Sequence, residues 1–267
     1  MVAAKRLGML VTVLALGFAA CGDDGGAATT TTPTTTTTAT TTTTAAPTTT
    51  APPATTAPAT TATNVPPDIH PAWGVSWEGV WPSDGSTALV RVEGPEGFVE
   101  ATVGVDYGVE WDGGVWDRIW LGSPDPAEFG VSFYGQRPEP WVVVVWGAHT
   151  HSGGGFEVME RFDPPLVFDL RMMPGEEVSG ATTLVATDLN GEVEEGPYAW
   201  SLSLVGFEDL EVAAGRFPDT VHLHAVVEEP GGYTAETDVW IDAAQALIRL
   251  APAHMWRSLE LAGPWSE

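Results

Sequence analysis

Apolar and polar residues alternate strictly along one segment of this sequence, VEATVGVDYGVEW, from Val99 to Trp111. Because successive side chains of a β-strand point to opposite faces of a sheet, this alternation predicts a strand with one buried face and one wet face. The segment is long for a single strand, and Gly104 or Gly108 is expected to mark a bulge or bend. The predicted buried face consists of Val99, Ala101, Val103, Val105, Tyr107, Val109 and Trp111.

Further strand patterns follow along the chain. WVVVVWG, residues 141–147, is apolar on both faces and predicts a central, covered strand, while AWSLSLVG, residues 199–206, alternates again. Asn190-Gly191 is a strong hairpin-turn signal, since both residues tolerate positive φ. Helical signals are limited to single turns in DPAEF and DAAQAL. With 30 glycines and 22 prolines among short strands, the sequence predicts a mainly β, antiparallel fold with few short helical turns.

The C-terminal half carries a series of motifs in a fixed order. They are LVFDLRMMPGEEVSG, LVGFEDLEVAAGRFPDTVHLHAVV, VWIDAAQALIRL and SLELAG. From roughly Pro165 to Gly263 this order resembles the C-terminal part of uncharacterised bacterial envelope lipoproteins, with Ala246 in place of their usual glycine. The resemblance implies a strongly curved antiparallel sheet, half-barrel or sandwich-like, similar to the open half-barrel of LolA-like lipoprotein carriers.

The N-terminus has the pattern of an export signal. Lys5 and Arg6 precede an apolar run that is too short for a membrane-spanning helix but suits a signal peptide. The run ends in GFAAC, which resembles the bacterial lipoprotein box, with Phe18 replacing the usual aliphatic residue. The resemblance implies that residues 1–20 are a lipoprotein signal peptide and that Cys21 carries acyl chains such as palmitate. The alternative is ordinary secretory cleavage near Ala20, which would leave a free thiol.

Residues 21–64 are expected to form the lipidated cysteine and a disordered stalk. The segment is almost entirely Thr, Ala and Pro beyond residue 28, so it lacks the large apolar side chains that would offset the entropy of ordering. Such stalks are frequent substrates for O-glycosylation. Residues 65–267 are then one acidic, Trp-rich β domain. Because Cys21 is the only cysteine, this domain must be held by its core rather than by disulfides.

The charge balance restricts the partners of the domain. The formal net charge is −26, and Lys5 is the only lysine of the chain. A field of this sign repels nucleic acid and anionic lipid headgroups, which excludes both as partners of the domain. It favours cationic partners or divalent ions, although acidity can also be an adaptation to a salty or wall-rich setting without any specific ligand.

Two His-x-His pairs are candidate metal ligands: His149 with His151, and His222 with His224. Imidazoles two residues apart on a strand lie on one face and can reach the same zinc or copper ion. Glu157 or Glu160 could complete such a site. The alternative for His222 and His224 is that they are the solvent-side residues of a strand whose core face is Val221, Leu223 and Ala225.

Tryptophan is frequent, with 12 residues, and one cluster of it stands beside acids. Exposed aromatic rings next to carboxylates are a common arrangement for holding sugars, because a ring packs on the apolar face of the pyranose. The candidate carbohydrate contacts are Trp111, Asp112, Trp116, Asp117 and Trp120. The same rings could instead fill a β core, where each would bury a large area.

Two other chemistries have weaker signals. DLNGEVEE, residues 188–195, has oxygen ligands at alternate positions, but its glycine is misplaced for an EF-hand loop, so a hairpin turn explains it better than calcium binding. The sequence has no G-x-S-x-G motif and no phosphate-binding glycine loop with lysine, so an enzyme is not favoured.

These observations predict a lipoprotein on the surface of a bacterial cell, with a non-catalytic binding, carrier or envelope-structural role. Its expected partners are the membrane, through the lipid on Cys21, and a cell-wall glycan, a lipid or an envelope protein. No cofactor is expected beyond the zinc, copper or calcium considered above. The alternatives are a carbohydrate-active or metal-dependent hydrolase, and a lipid carrier with an apolar cavity in the curved sheet.

Overall fold

The structure is a computed structural model that describes residues 70–74, 82–94, 97–122, 129–152, 155–242, 246–252 and 257–266. The predicted signal peptide, Cys21 and the stalk lie outside these residues, as do most of the two segments predicted as single helical turns. The described part of the chain contains strands and turns but no helix, and therefore none long and apolar enough to cross a membrane.

Twelve strands are present in the described residues. They are β1 (Thr87–Gly94), β2 (Gly97–Trp111), β3 (Gly114–Gly122), β4 (Gly130–Glu139), β5 (Val142–Ser152), β6 (Phe156–Asp169), β7 (Glu177–Asp188), β8 (Val193–Val212), β9 (Gly215–Glu229), β10 (Tyr233–Asp242), β11 (Ala246–Ala251) and β12 (Ser258–Leu261).

The strands form a closed barrel in which each one pairs antiparallel with the next. The last strand returns to the first, so that Leu261 pairs with Val90 and Leu259 pairs with Val92. The expectation of an open, strongly curved sheet, half-barrel or sandwich is therefore wrong. An open sheet leaves two unpaired edges, whereas the pairing of β1 with β12 satisfies both edges with each other.

The barrel interior is the hydrophobic core, and the alternation along each strand fills it. On β9 the inward residues are Val221, Leu223 and Ala225, each almost fully buried, while His222 and His224 point outward, as predicted. Aromatic side chains reach across the interior between strands that are not neighbours. The ring centroids of Phe168 on β6 and Trp200 on β8 are 4.4 Å apart.

Strand β2 contains a bulge that reverses its alternation. The pairing of β2 with β3 shifts between Asp106 and Val109, and Gly108 lies in the bulge with φ of +66°. The predicted bulge is thus confirmed at Gly108. Because one extra residue moves the following side chains to the other face, Val109 and Trp111 lie on the outer surface. The prediction that they share the buried face of Val103 is wrong.

Candidate functional site

Four aromatic side chains from four successive strands meet on the outer surface of the barrel. They form the aromatic face, which consists of Trp111 on β2, Trp116 on β3, Tyr134 on β4 and Trp146 on β5. The rings of Trp111 and Tyr134 stack with centroids 4.1 Å apart and planes within 4° of parallel. The rings of Trp116 and Trp146 lie 4.8 Å apart with a tilt of 45°. The indole N–H of Trp116 donates to the carbonyl of Trp111 at 2.8 Å, which joins the two pairs.

The aromatic face remains accessible although its rings pack against one another. Trp146 is 37% exposed, Trp111 and Trp116 are half-buried, and Tyr134 is buried beneath Trp111. Gly147 permits this arrangement, because a Cβ built there would stand 2.9 Å from the indole of Trp111 and 2.0 Å from a backbone oxygen of the neighbouring strand. The missing side chain lets the Trp111 ring lie flat on the sheet.

Polar groups surround the aromatic face. Asp112 follows Trp111 in the turn between β2 and β3, with φ of +45°, and its carboxylate accepts from Arg161 at 3.0 Å. The side-chain amide of Gln136 donates to the carbonyl of Val115 at 2.9 Å. These exposed side chains provide both donors and acceptors at the rim of the rings.

Trp120, another predicted carbohydrate contact, also points outward but is only 9% exposed. Its indole N–H donates to Asp106 at 3.0 Å, and the same carboxylate oxygen accepts two hydrogen bonds from Arg118 at 2.6 and 3.0 Å. The ring covers Gly104 on the adjacent strand. Trp120 therefore supports the outer wall and offers little open surface to a ligand.

Asp117, the last of the predicted carbohydrate contacts, lies on the opposite side of β3. It is two residues before the inward-facing Ile119, and it pairs with Gly135. Burial raises the pKa of Asp117 to about 6, against the opposing effect of the nearby Arg137 guanidinium. The structure thus brings Trp111, Asp112 and Trp116 together, and adds Tyr134 and Trp146, but does not bring Asp117 to this surface.

The two histidine pairs are also separated. His149 and His151 lie on β5 with rings 5.3 Å apart, and His149 contacts Glu157 at 2.8 Å. His222 and His224 lie on β9, and strands β6 to β8 stand between the pairs. In the part of the chain that the structure describes, no group of three or more His, Cys, Asp or Glu side chains is arranged to hold a metal ion.

The imidazole of His222 is held by acids on both sides. Its Nδ1 lies 3.1 Å from Glu208, its Nε2 lies 3.0 Å from Asp238, and the same oxygen of Asp238 is 3.0 Å from His224. The ring of Trp240 stacks on the imidazole of His222, with centroids 4.6 Å apart. Both nitrogens of His222 are therefore occupied by carboxylates, and a metal ion would have to displace one of them.

The suggested calcium loop is a turn. Asp188 ends β7, and its Oδ1 accepts from the backbone N–H groups of Asn190 and Glu192 at 2.9 and 2.8 Å. These hydrogen bonds lower the pKa of Asp188, and the one from the Glu192 N–H has the largest effect. Gly191 has φ of +77°, as the hairpin signal predicted. The carboxylate oxygens of Asp188 therefore accept hydrogen bonds that stabilise the turn.

The barrel interior contains an acidic side chain, Glu160. The sequence offers Glu160 as a further ligand beside the histidines, but the side chain points into the barrel and is fully buried. Tyr198 and Glu229 are almost fully buried as well. Burial, and secondarily the charge of Glu229, raises the pKa of Glu160 to about 8. The signal was present in FEVMERF, where Glu160 falls between Val158 and Phe162 on the apolar face of the alternation.

No protein-family model matches the sequence, and no curated protein is significantly similar to it. Among solved structures, the chain is similar to a Parabacteroides distasonis protein designated a lipoprotein, with 10% identity, a TM-score of 0.33, and coverage of 67% of this chain and 94% of that one. It is also similar to a Bacteroides fragilis protein designated an exported protein with a YmcC-like fold, with 11% identity, a TM-score of 0.36, and coverage of 69% and 96%. Similarity at this level assigns neither a family nor a function, and the resemblance to LolA-like carriers is not confirmed.

Proposed function

We propose that the chain is an extracytoplasmic lipoprotein, anchored through Cys21, whose barrel binds a neutral glycan on the aromatic face without catalysing a reaction. The export signal and the GFAAC sequence support the anchor. The Thr/Pro segment of residues 21–64 supports a role at a distance from the membrane, since an extended chain gains roughly 3 Å per residue.

The observation that carries the proposal is the arrangement of the four rings on the outer wall. Trp116 and Trp146 present accessible indole surface, and the stacked pair of Trp111 and Tyr134 lies beside them. The C–H groups on one face of a sugar ring can pack on such surfaces, while the hydroxyl groups reach Gln136 and the pair of Asp112 with Arg161. A neutral glycan is favoured because a chain with a net charge of −26 repels anionic polymers.

The barrel interior gives less support to a lipid carrier, which needs an apolar cavity. Side chains from strands β6 and β8 already meet there, with centroid distances of 4.4 Å between Phe168 and Trp200 and 5.1 Å between Phe162 and Tyr198. Trp141 is also fully buried among the core residues. These rings occupy part of the interior that an acyl chain would need.

The hydrolase alternative also gains little from the geometry of the aromatic face. Glycoside hydrolysis requires two carboxyl groups on either side of the scissile bond. At this surface Asp112 is paired with Arg161, and Asp117 points to the other side of β3. The buried Glu160 lies inside the barrel, where a polymer bound to the outer wall cannot reach it.

A binding assay with single ring deletions tests the glycan proposal. The domain is titrated with a panel of neutral and anionic polysaccharides while its tryptophan fluorescence is followed. We expect saturable binding to a neutral glycan, weakened at least about tenfold by Trp116→Ala and by Trp146→Ala, which corresponds to ~1.4 kcal/mol. Tyr233→Ala is the matched control, since Tyr233 is 52% exposed on β10, away from the aromatic face. The proposal is contradicted if no neutral glycan binds saturably, or if Tyr233→Ala weakens binding as much as Trp116→Ala and Trp146→Ala do.

The anchor is tested separately by detergent partition of the full chain from a bacterial host. We expect the protein to enter the detergent phase and to incorporate a labelled palmitate analogue. Cys21→Ser removes the acylated thiol and should release the protein into the aqueous phase, without changing glycan binding by the domain. A Cys21→Ser variant that still enters the detergent phase would show that the lipid is not on this residue.

A further inference from the structure

The fully buried Glu160 lies on the inner wall of the barrel. On β6 it pairs with Ala148 of β5 on one side and with Ala186 of β7 on the other, and all three residues face inward. The two alanines leave the carboxyl group between short neighbours. Glu160 therefore projects into the interior rather than toward solvent.

Two more oxygen-bearing side chains share this region of the interior. Glu229 is the last residue of β9 and Tyr198 lies on β8, and both are almost fully buried. The pairing of Ala199 with Glu228 sets Glu229 beside Tyr198 on the inner face of the barrel. Burial raises the pKa of Tyr198, and the charges of Glu229 and Glu160 raise it further. The Tyr198 ring also packs against the ring of Phe162, with centroids 5.1 Å apart. Phe162 is the next inward residue after Glu160 on β6.

Two residues of this region, Glu160 and Thr150, have buried side-chain oxygens without a hydrogen bond to any described residue. Neither carboxylate oxygen of Glu160 has a hydrogen-bond partner among the described residues, and the same holds for the hydroxyl of Thr150. Thr150 is 2% exposed on β5, two residues beyond Ala148, so it stands diagonally across from Glu160 on the inner face. A buried carboxylate without a partner is costly, and native proteins normally satisfy such a group with water or an ion.

We propose that Glu160 and Glu229, with the hydroxyl groups of Thr150 and Tyr198, form an interior site for a divalent cation of the calcium type. All of the donors are oxygens, which hard cations prefer, whereas zinc and copper favour nitrogen and sulfur. Two carboxylates neutralise a charge of +2, and the remaining ligands come from hydroxyl groups and water. The field of a chain with a net charge of −26 concentrates cations around the barrel.

The position of the site gives a cation a short route to it. Glu229 immediately precedes the turn between β9 and β10, and Thr150 lies two residues before the end of β5. In a barrel whose strands run alternately up and down, the β5–β6 and β9–β10 turns lie at the same end. The site is therefore near one end of the barrel and lies away from the aromatic face on the outer wall.

Terbium luminescence tests the proposal, because Tb³⁺ substitutes for calcium and is sensitised by nearby tyrosine and tryptophan. The chain is freed of metal with a chelator and titrated with Tb³⁺, followed by displacement with Ca²⁺. We expect one saturable sensitised site, with affinity lowered at least about tenfold by Glu160→Gln. Glu195→Gln is the matched control, because it removes the same charge from the exposed surface of β8 and should leave the affinity unchanged.

The design separates an interior site from diffuse binding to an acidic surface. Thr150→Val keeps the shape and the net charge, and should weaken Tb³⁺ binding about two- to tenfold while the near-UV circular dichroism remains that of the wild type. Equal affinity of the wild type, Glu160→Gln and Thr150→Val would overturn the proposal, as would the absence of a saturable site. Glycan binding at the aromatic face is expected to be the same with and without the cation.

Discussion

Trp120 on β3 lies directly over its cross-strand partner Gly104 on β2, so close that a Cβ built on Gly104 would stand 2.3 Å from the indole ring. The ring cannot yield easily, because its N–H is bonded to Asp106 and it is only 9% exposed. We therefore expect Gly104→Ala to lower the free energy of unfolding by about 1–3 kcal/mol, as overpacking of a rigid site does. The measurement is the midpoint of urea denaturation.

Gly94→Ala is the control for this prediction. Gly94 also lies in a strand of the same sheet, but the nearest atom to its added Cβ would be 3.7 Å away, which is ordinary van der Waals contact. The alanine should be tolerated there with little change in stability. An equal loss of stability at the two positions would show that the ring of Trp120 moves aside freely.

Gly104 shows which features of the fold the sequence predicts and which it does not. The alternation around it correctly predicted a strand and an inward face containing Val103 and Val105. It could not show that Gly104 makes room for a tryptophan, since that depends on the register of β2 against β3. It also could not show which glycine carries the bulge, and the bulge at Gly108 is what moves Trp111 outward to stack on Tyr134. Local patterns specify faces, whereas register and bulges are decided by the neighbouring strand.

Barrel closure could not be predicted for a related reason. SLELAG is the last of the C-terminal motifs, but nothing in it identifies β1, which precedes it by some 170 residues, as its partner. Arg91 and Glu260, which pair across this junction on the outer surface, are separated by 169 residues in sequence. The interior acids were missed because Glu160 and Glu229 approach each other only once β6 and β9 form parts of one barrel wall.

Asp106 gives a second prediction, because it is the common acceptor for Arg118 and Trp120. Asp106→Ala leaves a half-buried guanidinium and a buried indole N–H without this acceptor, so we expect a loss of about 1–3 kcal/mol in the free energy of unfolding. Asp209→Ala is the control, since Asp209 pairs with Arg216 where both side chains are exposed, and it should have a much smaller effect. Similar shifts of the urea midpoint for the two variants would contradict this prediction.

Glu160 predicts a dependence of stability on pH in the absence of bound cation. Burial and the charge of Glu229 raise the pKa of Glu160 from 4.5 to about 8 in the folded chain. Between these values the unfolded chain loses the proton and the folded chain keeps it, so the free energy of unfolding falls as pH rises, by at most about 1.4 kcal/mol per pH unit. Urea denaturation between pH 5 and pH 8, with chelator present, measures this slope.

Glu160→Gln should reduce the slope and stabilise the chain at pH 8, because glutamine is neutral at every pH. Glu195→Gln, on the exposed surface of β8, should keep the slope of the wild type. If the slope survives Glu160→Gln unchanged, the buried carboxyl is not its source.

His70 predicts the opposite dependence at lower pH. The ring is fully buried, stacked on Trp73 with centroids 4.3 Å apart and edge-on to Trp141. Its Nδ1 accepts from the backbone N–H groups of Ala72 and Trp73, each at 3.1 Å, so Nε2 carries the proton and donates to the carbonyl of Leu170. Burial therefore lowers the pKa of His70 from 6.5, and a second proton would have to displace two hydrogen bonds.

Below about pH 6.5, His70 becomes protonated in the unfolded chain but stays neutral in the folded chain, because its pKa is lowered there. This difference makes the free energy of unfolding fall as the pH decreases. His70→Asn keeps a side-chain acceptor for the two N–H groups but cannot be protonated. We expect this variant to be less stable at pH 7, because the stacking on Trp73 is lost, yet to lose less further stability between pH 6.5 and pH 4.5 than the wild type. Urea denaturation in a Glu160→Gln background removes the opposing trend of the buried acid, and an unchanged acid slope after His70→Asn would exclude His70 as its origin.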